Sequence, residues 1–329
     1  MFSLTRIKII LKILVFLTVL ALVLFGLSLL FLPKSNRTLK QYSAGGYIGE
    51  PENSLDYFVL GDSNVSEGVA PLDIYNKYGY TGYVCGKPWQ SISGDYYLMK
   101  EILRTQKPKL FIIETDSIYE NGGKGNSSTD KYDETVSEML EYYLPVFHYH
   151  DNWKHISDYT KKFDYSWKDN NKGHYVNLQT VPYTGSDEYM DNPDRYPYLR
   201  SATVLYLKRI QALCRKNNIE LMFLSVPSAS SWNEDRHNVI AKYAEENNIT
   251  FIDMNYNESL ADIDWDTDTR DGGMHMNYRG ARKVSNALAD YLQKYGLTDR
   301  RGDSAYSQWD SDLKTYNEQF DTQLKKDTN

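Results

Sequence analysis

From Ile13 to Leu32 the chain runs for 20 residues without a charged side chain. At about 1.5 Å per residue a helix of that length measures about 30 Å, the thickness of a bilayer's hydrocarbon core. Lys8 and Lys12 precede the run and Pro33-Lys34 closes it. A cleaved signal peptide is the alternative, but its apolar stretch is normally shorter, and no small-x-small cleavage site follows here. The pattern therefore predicts an uncleaved signal anchor over residues 1–33. Arg6, Lys8 and Lys12 before the run and Lys34, Arg37 and Lys40 after it nearly tie the positive-inside count. The short amino-terminal flank favours a cytoplasmic amino terminus and an exported domain.

Beyond the apolar run the pattern changes twice. Residues 34–54 are polar, with glycines at 45, 46 and 49, and read as a linker. From residue 55 onward short apolar runs alternate with amphipathic stretches. Strands are predicted at Tyr57–Leu60, Tyr80–Val84, Leu110–Ile113, Glu220–Val226 and Thr250–Asp253. Helices are predicted at Ser91–Leu103, Ser201–Arg215, Asn233–Glu246 and Tyr278–Tyr295. Strands alternating with helices of this length imply βαβ units, hence an α/β three-layer sandwich around a mainly parallel sheet. The rhythm breaks over about 118–198, where Gly122 to Asp130 reads as a loop and Tyr, Trp, His, Asp and Lys follow. That insertion is either a cap over the site or a surface elaboration. After Thr298 the chain is polar and weakly patterned, and residues 298–329 are expected to be a mobile tail.

Composition narrows the function. The formal net charge of −7 argues against a general nucleic-acid surface. The 29 tyrosines offer flat apolar faces with a hydroxyl at the edge, which suits sugar polymers and equally suits ordinary half-buried packing. Cys85 and Cys214 match no metal motif, and Cys214 falls in an amphipathic helical stretch where a buried thiol is the simpler reading. The six histidines show no ligand spacing, His148 and His150 forming only a His-Tyr-His pair, so no metal or other cofactor is expected.

Two stations carry candidate chemistry. Gly61-Asp62-Ser63-Asn64 places a serine three residues past Leu60, at the carboxyl edge of the first strand, where ligands of parallel α/β sheets collect. Asp271-Gly272-Gly273-Met274-His275 supplies an imidazole and a carboxylate just before the last helix. A serine hydroxyl needs an adjacent imidazole to take its proton, and the imidazole needs a carboxylate to fix its tautomer. Ser63 is therefore the candidate nucleophile, His275 the base and Asp271 its orienter. The oxyanion needs donors. Backbone N–H groups at Ser63 or Asn64, and near Gly86 after the second strand, are candidates; Asn64, Gln90 and Ser91 are candidate side-chain donors. Asp62, Glu114 and Asp116 are acidic groups able to favour an ammonium-bearing acyl group.

These residues resemble the SGNH (GDSL-like) hydrolase and acyltransferase superfamily. The likeness rests on Gly61-Asp62-Ser63-Asn64, the glycine at Gly86, and Asp271 through His275 to Arg282, and spans about residues 55–297. It implies Ser63 as nucleophile, His275 as base and Asp271 as partner. With the anchor, the chain is similar to membrane-bound cell-envelope members of the superfamily, which include the teichoic acid D-alanyl transfer protein and polysaccharide O-acetyltransferases. The resemblance implies an extracytoplasmic O-acyltransferase (acetyl or D-alanyl) with a cell-envelope polymer as acceptor and a multipass membrane O-acyltransferase as acyl-supplying partner. A carbohydrate O-acylesterase, or a non-catalytic glycan-binding or assembly protein on the same scaffold, are the alternatives. Two departures stand out. The aspartate usually lies three residues before the histidine, where this chain has Gly272, leaving Asp271 or Asp268 as orienter. The usual Gly-x-Asn-Asp station is replaced by Glu114-Thr115-Asp116, so the familiar asparagine oxyanion donor is missing.

Overall fold

Five short, mostly apolar strands make the centre of the molecule. In a computed structural model, which describes residues 4–39, 43–119, 130–154, 162–186, 188–191, 198–256 and 261–327, they are β1 (Tyr57–Gly61), β2 (Gly82–Gly86), β3 (Leu110–Glu114), β4 (Glu220–Ser225) and β5 (Thr250–Asp253). All pair parallel, in the order β2-β1-β3-β4-β5. Parallel strands are covered on both faces, which is why they read as continuous apolar runs.

The two faces separate by the strand's period of two. Phe58, Leu60, Phe111, Ile113 and Phe223 face one core. That core is closed by α4 (Ile92–Ile102), α8 (Ser201–Asn217) and α9 (Glu234–Glu246), through Leu98, Met99, Leu207, Ile210 and Ile240. Tyr57, Val59, Ile112, Met222 and Leu224 face the other, which is closed by α2 (Ser63–Gly68), α3 (Pro71–Tyr78) and α10 (Tyr278–Leu292), through Val65, Ile74, Val284 and Leu288. The result is a three-layer α/β sandwich. Chain order reverses direction between β1 and β3, and the crevice beyond their carboxyl ends is where such sheets bind ligands.

The remaining helices are α1 (Leu4–Phe31), α5 (Asp116–Tyr119), α6 (Asp130–Tyr143), α7 (Val146–Tyr149) and α11 (Ser307–Asp327). The apolar helix α1 is long and apolar enough to cross a membrane, and nearly all of it is exposed.

Three expectations change. The segment after Thr298 is not a bare polar tail: α11 buries Trp309, Tyr316 and Phe320 against the body of the domain. Those residues with Leu313 form one helical stripe that the surrounding charges mask. Residues 34–54 are not a free linker either. Asn36, Tyr47 and Glu50 are buried, and Tyr47 packs edge-on to Phe58. The insertion is neither a simple cap nor a surface ornament. Its residues 172–183 lie along the site edge: Val84 N–H donates to Lys172 O (3.0 Å), Tyr175 N–H to Ser66 O (2.7 Å) and Val181 N–H to Thr269 O (3.0 Å). The loop expected at 122–130 lies outside the described residues except for Asp130.

Lys172 ties these additions together. Fully buried, its Nζ lies 2.9 Å from Glu50 Oε1 and 2.7 Å from Asp312 Oδ2, and it sits over the Trp309 ring. One cation thus joins the segment before β1, the insertion and α11.

Candidate active site

Ser63 opens α2 directly after β1. Asp62 caps that helix, its Oδ1 accepting the Asn64 N–H at 2.8 Å. The close approach of β2 is what Gly86 permits: a Cβ there would stand 2.6 Å from the Asp62 carbonyl oxygen. On the other side, the loop before α10 carries the histidine, and Asn277 caps α10 by accepting from Arg279 and Gly280 N–H.

The two stations meet. Ser63 Oγ lies 2.8 Å from His275 Nε2, and His275 Nδ1 lies 2.6 Å from Asp271 Oδ2. Asp271 Oδ1 also accepts the His275 backbone N–H at 2.9 Å. A carboxylate on Nδ1 leaves the lone pair of Nε2 directed at the serine, the tautomer a general base needs. Gly272 and Gly273 have φ of +78° and +102°, a region costly for side-chain-bearing residues, and this double turn lets an aspartate four residues back reach its histidine. Asp268 is bonded elsewhere. It is buried beneath the loop, where Lys283 Nζ (2.6 Å) and the Asp264 N–H (2.8 Å) hold it. Burial works to raise the Asp271 pKa, but hydrogen bonds from His275 and the nearby Arg270 charge outweigh it and hold the carboxyl below its usual range. Asp271 is thus an anion across the neutral range.

Sequence reasoning missed the brace behind this pair. Arg270 Nη2 donates to Glu67 Oε1 at 2.8 Å and lies 3.3 Å from His275 Nδ1 and 3.7 Å from Asp271 Oδ2. Glu67 belongs to α2, the helix that Ser63 opens, so the ion pair locks that helix to the histidine loop. Glu67 is the fifth residue of the Gly61-Asp62-Ser63 turn's helix side and carries no motif signal. His174, from the insertion, is buried beside the same helix with Nδ1 3.1 Å from Ser66 O, and burial pushes its pKa down to about 4, keeping it neutral.

The expected oxyanion donors fare unevenly. The Asn64 N–H is spent on the Asp62 cap, and its Nδ2 contacts Asp116 Oδ2 (2.5 Å) and Ser231 Oγ (3.3 Å). Gln90 is buried and donates to Cys85 O (3.2 Å) and to Asp95. Ser91 caps α4 and contacts the Glu138 carboxylate at 2.7 Å. Both therefore serve α4 and α6 and are not directed to the serine. Asp116 does reach the site edge, with Ser231 Oγ 2.8 Å from its Oδ2. Ser231 and Ser228 come from the serine-rich turn after β4, whose position at a strand's carboxyl end is a signal that sequence alone could have supplied.

Asp62, Glu114 and Asp116 crowd together near Ser63, each offering an oxygen within 4.8 Å of the others. Burial first, then the charges of Asp116 and Asp62, press Glu114 well above the normal carboxylate range. Burial likewise raises Asp116, opposed by Arg236, Ser231 and Asn64. A shared proton is the simplest way to relieve three adjacent carboxylates.

A neighbouring carboxyl makes a measurable prediction. Asp95 is buried, and desolvation lifts its pKa to about 7 against 3.8 in the open chain. Between those values the folded state holds a proton that the unfolded chain has lost. The contribution of Asp95 to stability therefore falls by about 1.4 kcal/mol per pH unit through that window and levels off above it. Asp95→Asn is expected to remove one proton's worth of this slope in thermal unfolding followed from pH 4 to pH 8; an unchanged slope would contradict the assignment.

No protein-family model matches the chain, and no curated protein matches it. Solved structures do. A family 3 carbohydrate esterase from Clostridium thermocellum is similar at 12% identity and TM-score 0.39, over 73% of this chain and 96% of that one. A GDSL-like lipase from Bacteroides thetaiotaomicron is similar at 13% identity and TM-score 0.36, over 79% and 94%. An acetyl xylan esterase is similar at 15% identity and TM-score 0.37, over 72% and 99%. At these values the functional reading rests on the distances between Ser63, His275 and Asp271.

Proposed function

We propose that this chain is an SGNH-type serine enzyme that carries an acyl group on Ser63 and delivers it to a hydroxyl of a cell-envelope polysaccharide or teichoic acid. The observation that carries the reading is the continuous Ser63–His275–Asp271 hydrogen-bonded chain at the carboxyl edge of a parallel sheet. In the first half-reaction His275 Nε2 takes the Ser63 proton as Oγ attacks the acyl carbonyl. The leaving group then accepts that proton as the tetrahedral intermediate collapses to the ester. In the second, His275 Nε2 takes the proton of the acceptor hydroxyl as its oxygen attacks the ester, and gives that proton to Ser63 Oγ as the acyl–Oγ bond breaks. The backbone amide of Ser63 is the proposed oxyanion donor, the Asn64 amide being committed to its cap.

The apolar helix α1 is read as an uncleaved signal anchor with the domain outside, which puts the site among envelope polymers. An anchored enzyme has a local acceptor and, in a multipass membrane O-acyltransferase, a local acyl source. Acetyl and D-alanyl are the proposed acyl groups; a buried acidic cluster at Asp62, Glu114 and Asp116 favours the one bearing an ammonium. Hydrolysis uses the same acyl-enzyme with water as acceptor, so partition separates the two. With an activated acetyl ester and oligosaccharide or teichoic acid fragments, transfer predicts acylated acceptor that rises with acceptor concentration at constant ester consumption. Consumption that yields only free acid at saturating acceptor would assign an esterase instead.

A further inference from the structure

We propose that α6 and α7 form a second membrane contact, lying in the headgroup–acyl boundary of the bilayer that holds α1. The proposal rests on reading α1 as an uncleaved anchor. The domain covers almost none of α1; it grips only the helix's last turns and exit. Ser28 Oγ accepts the Val146 N–H at 3.2 Å, and Asn152 Nδ2 donates to Phe31 O at 2.8 Å. Beyond the helix, Tyr165 Oη donates to Pro33 O at 2.8 Å, the Asp164 N–H donates to Lys34 O at 2.8 Å, and Lys34 Nζ lies over the Phe163 ring.

These bonds set the height of the insertion. Ser28 precedes Phe31 by three residues, or about 4.5 Å along the helix axis. The charge-free run ends at Leu32. The start of α7 is therefore fixed level with the last turn of the apolar helix, where hydrocarbon gives way to headgroups. At that level the insertion exposes large apolar side chains: Phe147 is 45% exposed, Trp153 56% and Phe163 53%. Aromatic side chains at this depth are what an interfacial contact uses.

Helix α6 continues the surface. Glu138 and Tyr142 face α4, through Ser91 and the Tyr97 ring. Val136 and Leu140 lie on the opposite side of the helix and Met139 on its flank, and all three are exposed. A solvated helix would place polar residues there. The Glu141–His148 pair joins the two helices; because α7 is stapled to the span, the occupant next to the exposed apolar side chains on either side of it is the bilayer itself. Two attachments, α1 and α6–α7, would hold the site edge in one orientation above the membrane, which a single helix cannot do.

The test uses the full-length chain in liposomes. Cys85 and Cys214 are buried, so Leu140→Cys, Phe147→Cys and Trp153→Cys can each be labelled selectively with an environment-sensitive fluorophore, with Glu246→Cys on α9 as control. The expected result is blue-shifted emission at all three positions, quenched by phospholipids brominated near the glycerol end of the chain, with neither effect at Glu246→Cys. Carbonate extraction and protease protection report separately on α1. Labels that stay aqueous while α1 resists extraction would overturn this proposal alone. Labels shielded only in native membranes, and aqueous in pure lipid, would also overturn it and assign the surface to a membrane protein. Extraction of α1 by carbonate would overturn the anchor reading and this proposal with it.

Discussion

His275→Ala is expected to lower turnover of an activated acyl ester by about 10^4-fold, with Ser63→Ala falling as far and the double variant no further. The reason is geometric. His275 Nε2 stands 2.8 Å from Ser63 Oγ, and the proposed attack needs both groups. A serine hydroxyl far below its pKa is a negligible nucleophile, so removing either partner removes the same step. Asp271→Asn is expected to lose less, because the Arg270–Glu67 brace still holds the histidine loop against α2 while the tautomer preference is lost. Steady-state rates of the four variants check this directly. Additive losses in the double variant would mean that Ser63 and His275 do not act as one unit.

Lys172→Ala is expected to cost about 3–5 kcal/mol of stability, a fall in Tm on the order of 10 °C. The lysine is fully buried between Glu50 and Asp312, so its loss leaves two buried carboxylates facing one another. Adding Glu50→Gln and Asp312→Asn to Lys172→Met should recover much of the loss, since the uncompensated charge is the dominant cost. Thermal unfolding of the detergent-solubilised chain measures both. A small effect of Lys172→Ala would show that the segment before β1, the insertion and α11 are held mainly by apolar contacts such as Tyr47, Trp309 and Phe320.

The sheet was legible because each strand is buried on both faces and reads as an apolar run of strand length. All five expected strands are present, with ends shifted by at most two residues. The elements that escaped notice lack such a signal. Helix α2 has only six residues, too few for a period, and α3 is a short helix entered through Pro71. Helix α11 did carry a stripe at Trp309, Leu313, Tyr316 and Phe320, but the dense charges between them made it read as a solvated tail. Residues 172–183 have no regular element and find their place through backbone bonds to Val84, Ser66 and Thr269 that no local pattern announces.

The site divides in the same way. Ser63 and His275 could be named because each sits at a recognisable sheet edge or helix start. That Asp271 and not Asp268 bonds to His275 goes with two consecutive glycines of positive φ, a conformation that spacing only hints at. Gln90 and Ser91 drew attention as polar residues near β2, yet packing turns them toward Asp95 and Glu138. Glu67 and Arg270 went unseen because an ion pair joining residues 203 apart leaves no trace in local sequence.

An activated Ser63 would be trapped by covalent labelling. The full-length chain would be treated with a fluorophosphonate, which phosphonylates an activated serine without needing an acyl donor or a membrane partner, and read by intact mass and peptide mapping. The account predicts a single adduct at Ser63 that disappears in Ser63→Ala and His275→Ala. A folded protein whose Ser63 stays unmodified, or whose adduct maps elsewhere, would contradict it.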